Sequence, residues 1–254
     1  MDLSADESPP LSNAPIQEAI LDVRTTNNDS FSPEVIKERL PLDVPEFNRI
    51  EERIEGKVKF HLEKGKQLSA EKPNAETAAL IFRNTENTEA IQLRRNGFGF
   101  SRLKPYENWG NFYSGFVENW NKCERFVLGK EINRIGVRYI NALPISSGQI
   151  DLSDLFLLRP EYPDNLGGAA NNIFLKLSFQ EKGANGQHIN SNLILRSGNT
   201  MDGNPTFILD IDVSAICNCH PLDKDFEKFT LELRTIKNRI FKNSLTPQYY
   251  DTFK

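Results

Sequence analysis

The stretch KPYENWGNFYSGFVENWNKC, residues 104–123, holds two tryptophans, two tyrosines and two phenylalanines in twenty positions. Such density suits an aromatic ligand cage, a stacking platform for nucleic acid, or the buried side of a helix. The spacing separates these readings. Tyr106, Trp109, Phe112, Tyr113, Phe116, Trp120 and Cys123 recur at steps of three and four, the period of one helical face. The other side carries Glu107, Asn111, Ser114, Glu118, Asn119 and Lys122. Pro105 fits a first helical turn, where its missing N–H costs nothing. Gly110 and Gly115 each weaken a helix by about 1 kcal/mol against Ala, which points to close packing or a slight bend there. The pattern predicts a long amphipathic helix with an aromatic core stripe, so this stretch is scaffold rather than site.

A second stripe of this kind closes the chain. In LDKDFEKFTLELRTIKNRIFKNSL, residues 222–245, Phe226, Phe229, Leu233, Ile236 and Ile240 share one face. Between the stripes, and before the first, apolar residues alternate as in strands. Ile20, Leu21 and Val23 mark one, and Ser32 followed by Pro33 signals the start of a short helix after it. RIEGKVKFHLEKG, residues 53–65, places Ile54, Val58, Phe60 and Leu62 on its inward side. Residues 77–103 read as two or three strands, with a hairpin signal at Asn96-Gly97. In the segment 131–145, Ile135, Val137 and Tyr139 alternate with Arg134, Gly136 and Arg138. A short helix at 151–158 and three further strands at 172–182, 188–198 and 205–215 complete the reading.

The order of these elements predicts an α+β fold of two pseudo-equivalent halves, about residues 15–128 and 129–254. Each half runs strand, short helix, about three antiparallel strands, long helix, and the two long amphipathic helices cover the sheets. Residues 1–14, rich in Ser, Asp, Glu, Asn and Pro, read as a disordered leader, and 15–254 as a single compact domain.

Bulk properties narrow the function. The formal net charge of −4, with both signs interspersed, argues against a dedicated nucleic-acid binder. No apolar run reaches the length of a membrane span and the first residues are acidic and polar, so the expectation is a cytoplasmic protein without membrane contact. Three cysteines, Cys123, Cys217 and Cys219, are too few for a disulfide framework, and reduced thiols are expected.

Four segments together, NAPIQEAILDVR, FSRLKPYENW, RIGVRYINALPI and LDIDV, resemble an uncharacterised protein family of bacteria and archaea, with the closing LTPQYYDTF adding to the likeness. Members are about this long and sporadically distributed among genomes. The resemblance implies no activity, substrate or catalytic residue. Sporadic distribution implies accessory genes of mobile or defence-type loci.

Several residue groups invite chemistry. CNCH supplies three soft ligands, Cys217, Cys219 and His220, but a tetrahedral zinc site needs a second pair that the chain lacks. NLGGAANN, residues 165–172, has two glycines without the lysine and spacing of a P-loop, and reads as a loop. Asp210 and Asp212 share one side of a strand and could hold a divalent cation or a ligand, or pair across the sheet with Arg134 and Arg138 at the same spacing. Arg83, Arg94, Arg95, Arg102 and Lys104, interleaved with Phe98 and Phe100, form the densest basic run and would suit single-stranded nucleic acid by stacking and phosphate contact. On a chain acidic as a whole, a solvated hairpin with buried phenylalanines is the preferred reading.

No nucleophile-and-base set accompanies the three histidines. The sequence therefore points to a non-catalytic binding or interaction protein without a cofactor, joined by a protein partner or by self-association as a homodimer. The alternative is a small-molecule- or nucleotide-handling enzyme with an Asp/Arg-lined cleft, with or without a divalent metal.

Overall fold

Alternating apolar residues produce a single sheet in the computed structural model, which describes residues 11–26, 31–57, 60–61, 69–70, 74–127, 131–145, 151–160, 172–199, 204–217 and 219–254. In chain order the elements are β1 (Ile16–Thr25), α1 (Pro33–Asp43), β2 (Arg49–Lys57), β3 (Phe60–His61), β4 (Ser69–Ala70), β5 (Asn74–Arg83), β6 (Glu89–Arg94) and β7 (Gly97–Leu103). After them come α2 (Trp109–Cys123), β8 (Ile132–Pro144), α3 (Leu152–Leu155), β9 (Phe174–Lys182), β10 (His188–Asn199), β11 (Pro205–Ala215), α4 (Lys224–Ser244) and α5 (Pro247–Asp251). Nine strands join in the order β2-β5-β6-β7-β1-β8-β11-β10-β9, and β3 and β4 pair separately. Every pairing in the large sheet is antiparallel.

This overturns the expected pair of halves, each with a long covering helix. There is one nine-stranded layer, and among the described residues only α4, with 21 residues, is long. Two physical reasons account for the difference. First, β1 and β8 zip together in register from Glu18↔Ile140 to Arg24↔Arg134, with a register shift beyond each end, so both strands have their backbone groups satisfied inside one sheet rather than at two edges. Second, α2 has only fifteen residues, because Asn108 is its N-cap: the Asn108 side chain accepts from the Asn111 N–H at 2.9 Å. Tyr106, which continues the aromatic period, stands before the helix.

The covered face carries the core. Leu21 and Val23 of β1, Phe98 and Phe100 of β7, Val137 and Tyr139 of β8, and Leu209 and Ile211 of β11 are buried there. Helix α2 lies over β7 with Trp109, Phe112, Phe116 and Trp120 buried. Phe116 meets Phe98 edge-on at 5.6 Å and stacks on Phe226 of α4 at 5.6 Å. A Cβ on Gly115 would come within 3.0 Å of the Phe100 ring, so this glycine sets the closest approach of α2 to the sheet. Helix α4 crosses β8 and β11, and its buried Glu232 accepts from the Ala184 N–H and from Gln187 Nε2, tying the β9–β10 hairpin to the helix.

Ile54, expected inward, is exposed, because β2 is an edge strand. Val58 and Leu62 fall outside the described residues, as do residues 1–10 of the expected leader. The Asn13 N–H donates to the Phe253 carbonyl at 3.0 Å. No helix among the described residues is long and apolar enough to cross a membrane.

Candidate functional site

On the opposite face, strand alternation gathers charged residues over the middle of the sheet. Asp22 of β1 stands between two glycines, Gly99 of β7 and Gly136 of β8, its cross-strand partners. Arginine guanidinium groups use the space these glycines leave. A Cβ on Gly136 would meet Arg134 Nη1 at 3.0 Å, and one on Gly99 would lie 3.6 Å from Arg94 Nη1. Asp22 consequently accepts from three arginines: Arg24 Nε at 2.8 Å, Arg134 Nη1 at 3.0 Å, and Arg94 Nη1.

Arg134 reaches on to Asp212, with Nη2 3.0 Å from Oδ2 and 3.2 Å from Oδ1. Arg138 grips Asp210 with a two-pronged fork, Nε to Oδ1 at 2.8 Å and Nη2 to Oδ2 at 2.5 Å. Thus Arg134, Arg138, Asp210 and Asp212 are brought together, and each aspartate is engaged by an arginine. Electrostatics divide the carboxylates. Burial pushes the Asp22 carboxyl up, but Arg94, Arg24 and Arg134 together outweigh it and hold the group below its ordinary value. Burial also pushes Asp212 up, and there Arg134 and Arg138 pull it down but are opposed by the Asp22 and Asp210 charges, so the result is a raised value. The hydrogen bond to Asp210 raises Arg138.

The cluster floors a depression of about 620 Å3 lined by strand and turn residues. Six arginines border it, Arg24, Arg53, Arg83, Arg94, Arg134 and Arg138, against the carboxylates Glu18, Asp22 and Asp212. The aspartates spend their oxygens on guanidinium groups, so none of the three is poised as a free base. Among the described residues no group of three or more His, Cys, Asp or Glu is placed to hold a metal ion.

The basic run does not assemble on one surface. Arg83 and Arg94 border the depression, and Arg83 Nε contacts Glu51 at 2.9 Å. Arg95 sits at the β6–β7 turn, 3.5 Å from Glu76. Arg102 points to the covered side, ion-paired with Glu89 and 6.0 Å from the Phe100 ring. Lys104 is exposed past the end of β7. Phe98 and Phe100 are fully buried. Alternation along β7 keeps Phe98, Phe100 and Arg102 on the covered face while Arg83 and Arg94 border the depression on the other, so the run is divided between two faces.

Cys217 and Cys219 are joined in a disulfide rather than held as thiols, and their sulfurs are therefore not thiolate ligands. His220 packs edge-on against Trp120 at 5.7 Å, with Nε2 3.9 Å from the Glu124 carboxylate. Cys123 is a free, buried cysteine whose thiol burial pushes up to about 12. Residues 165–171 of NLGGAANN lie outside the described residues.

A second cavity, on the covered side of the sheet, escaped the sequence reading. It lies between α4, the segment before α2, and the start of β1, and its wall includes Arg234, Lys237, Tyr106, Tyr139 and Trp109. Its signal in the sequence was a lysine on a core stripe: Lys237 follows Leu233 by four positions, where an apolar residue is the norm. Comparison with protein-family models, with curated proteins and with solved structures finds no match to this chain.

Proposed function

We propose that the chain is a non-catalytic binding protein whose uncovered sheet face receives an acidic surface of a protein partner. The observation that supports it is the arginine excess around the central depression on a chain that is acidic as a whole. Arginines with their forks fixed by aspartates are pre-organised for carboxylates, since little rotamer freedom is left to lose on binding. A protein is favoured over nucleic acid because the aromatic residues of the basic run are buried on the other side, which removes the stacking surface single strands use. An enzyme acting through the same four Asp and Arg side chains lacks a free base or a vacant carboxylate there, and nothing in the geometry favours it.

Poly-L-glutamate and an oligothymidylate of equal length serve as probes, titrated against the wild type and an Arg53→Glu/Arg83→Glu variant that spares the Asp22 cluster. The expected result is salt-sensitive binding of poly-L-glutamate that weakens by about tenfold or more in the variant. Tighter binding of the oligonucleotide, or affinity unchanged by the charge reversal, would overturn the reading.

A further inference from the structure

The covered-side cavity has donors without acceptors. Lys237 is 7% exposed, and its ammonium finds no hydrogen-bond acceptor or carboxylate among the described residues. It lies instead over the Tyr139 ring, 3.8 Å from the centroid. One turn earlier on α4, Arg234 is in no ion pair among the described residues and stands 5.6 Å over the Trp109 ring. The indole N–H of Trp109 is buried and donates to no acceptor among the described residues. Tyr106 and Tyr139 share one hydroxyl–hydroxyl bond of 2.9 Å, which leaves one O–H free to donate. At the rim, Glu107 is exposed and accepts from Asn111 Nδ2, and the Asn108 side chain is spent on the α2 cap.

Burying the Lys237 ammonium beside the half-buried Arg234 without a counter-charge is costly. The cost registers on Lys237, whose ammonium is pushed down to about 7 by burial and by Arg234. An occupant that supplies negative oxygens removes it. Leu11, Ala14, Pro15, Ile16 and Phe241 add apolar wall, and Asn141, Asn238, Lys242 and Tyr250 complete it. The space, about 120 Å3, approaches the ~150 Å3 that admits a benzene ring in an engineered protein cavity.

We propose that this cavity binds a small organic anion, its carboxylate or phosphate head taken by Lys237 and Arg234 and its apolar body lying against Ile16 and Phe241. The site lies across the sheet from the arginine-rich depression and is independent of the binding proposed there. The other charged or titratable groups facing Lys237 are Arg234 and Lys242 of α4, Tyr139 of β8, Tyr106 and Glu107 ahead of α2, and Tyr250 of α5. An anion arriving beside Lys237 favours its charged form, so binding above about pH 7 takes up a proton.

Calorimetry and tryptophan fluorescence with benzoate, phenyl phosphate and the neutral benzamide test this on the full chain. Binding of at least one acid with a Kd of about 1 mM or tighter, without benzamide binding, is expected, and the tighter acid identifies the head group. Lys237→Met and Arg234→Gln should each weaken that acid by about tenfold or more. Measured in two buffers of different ionisation heat at about pH 8, the binding should show proton uptake. The proposal is overturned if neither acid binds at roughly 10 mM, if benzamide binds as well as the acids, or if both variants keep wild-type affinity.

Discussion

The two faces of the sheet treat charge in opposite ways. On the uncovered face Asp22, Asp210 and Asp212 each have an arginine partner, and Asp22 has three. On the covered face Arg234 and Lys237 share a cavity with no carboxylate paired to either among the described residues. Partner choice follows from environment. Between strands in partial contact with water, opposite charges at facing positions are a common way to furnish a sheet. Under helices, an unmatched cation is penalised by burial, so its presence there marks a place where something else supplies the counter-charge.

The covered face should carry most of the stability. Phe116→Ala removes a fully buried ring packed on Phe98 and Phe226 and is expected to cost about 3–5 kcal/mol in urea denaturation. A loss as small as that of a surface change would mean that α2 packs loosely and would break the comparison at once.

Asp22→Asn should come next, at about 3 kcal/mol, because it leaves three arginines facing one another at a buried position. Titration sharpens the point. The Asp22 carboxyl lies below its ordinary 3.8 in the folded protein, so its contribution to stability is present above about that pH and is lost as pH falls through the lower folded value. Asp212 is raised, so the folded state binds its proton first and stability gains from this group as pH falls through the raised value. Carboxyl-carbon NMR should therefore show Asp212 protonating before Asp22, and the reverse order would contradict the pairing.

Asp210→Asn should have the smallest effect, at most about 1 kcal/mol, since the Arg138 side chain it releases is 44% exposed and water can take over from the carboxylate. The same urea titration checks it.

Local elements were readable because their signals are local. Ser32 and Pro33 stand where α1 begins, and Asn96-Gly97 lies at the β6–β7 turn. Gly97 serves a further purpose there, since its φ is +152° and a Cβ would lie 2.1 Å from the Val23 carbonyl of β1. The joining of β1 to β8 was not readable, because alternation fixes which face a residue takes and leaves open which distant strand lies alongside. Likewise, the aromatic stripe of 104–123 was legible as core, while the length of α2 depended on a cap at Asn108 that periodicity passes over. Equal spacing brought Arg134, Arg138, Asp210 and Asp212 together as a set, but not their diagonal pairing, since Asp212 stands opposite Arg138 and binds Arg134, and Asp22, the centre of the cluster, carried no such pattern. Lys237 needed only the question of why a lysine sits on a buried stripe.

The most direct test of the unmatched cation is urea denaturation of the wild type and Lys237→Met from about pH 6 to about pH 10. Lys237 has a folded value of about 7 against an ordinary 10.5, so the unfolded chain binds more protons between those values. Wild-type stability should therefore rise with pH relative to the variant across that window, with the gain beginning near pH 7. A stability difference that stays flat across the window would show that Lys237 has its counter-charge already, and the contrast between the two faces would be lost.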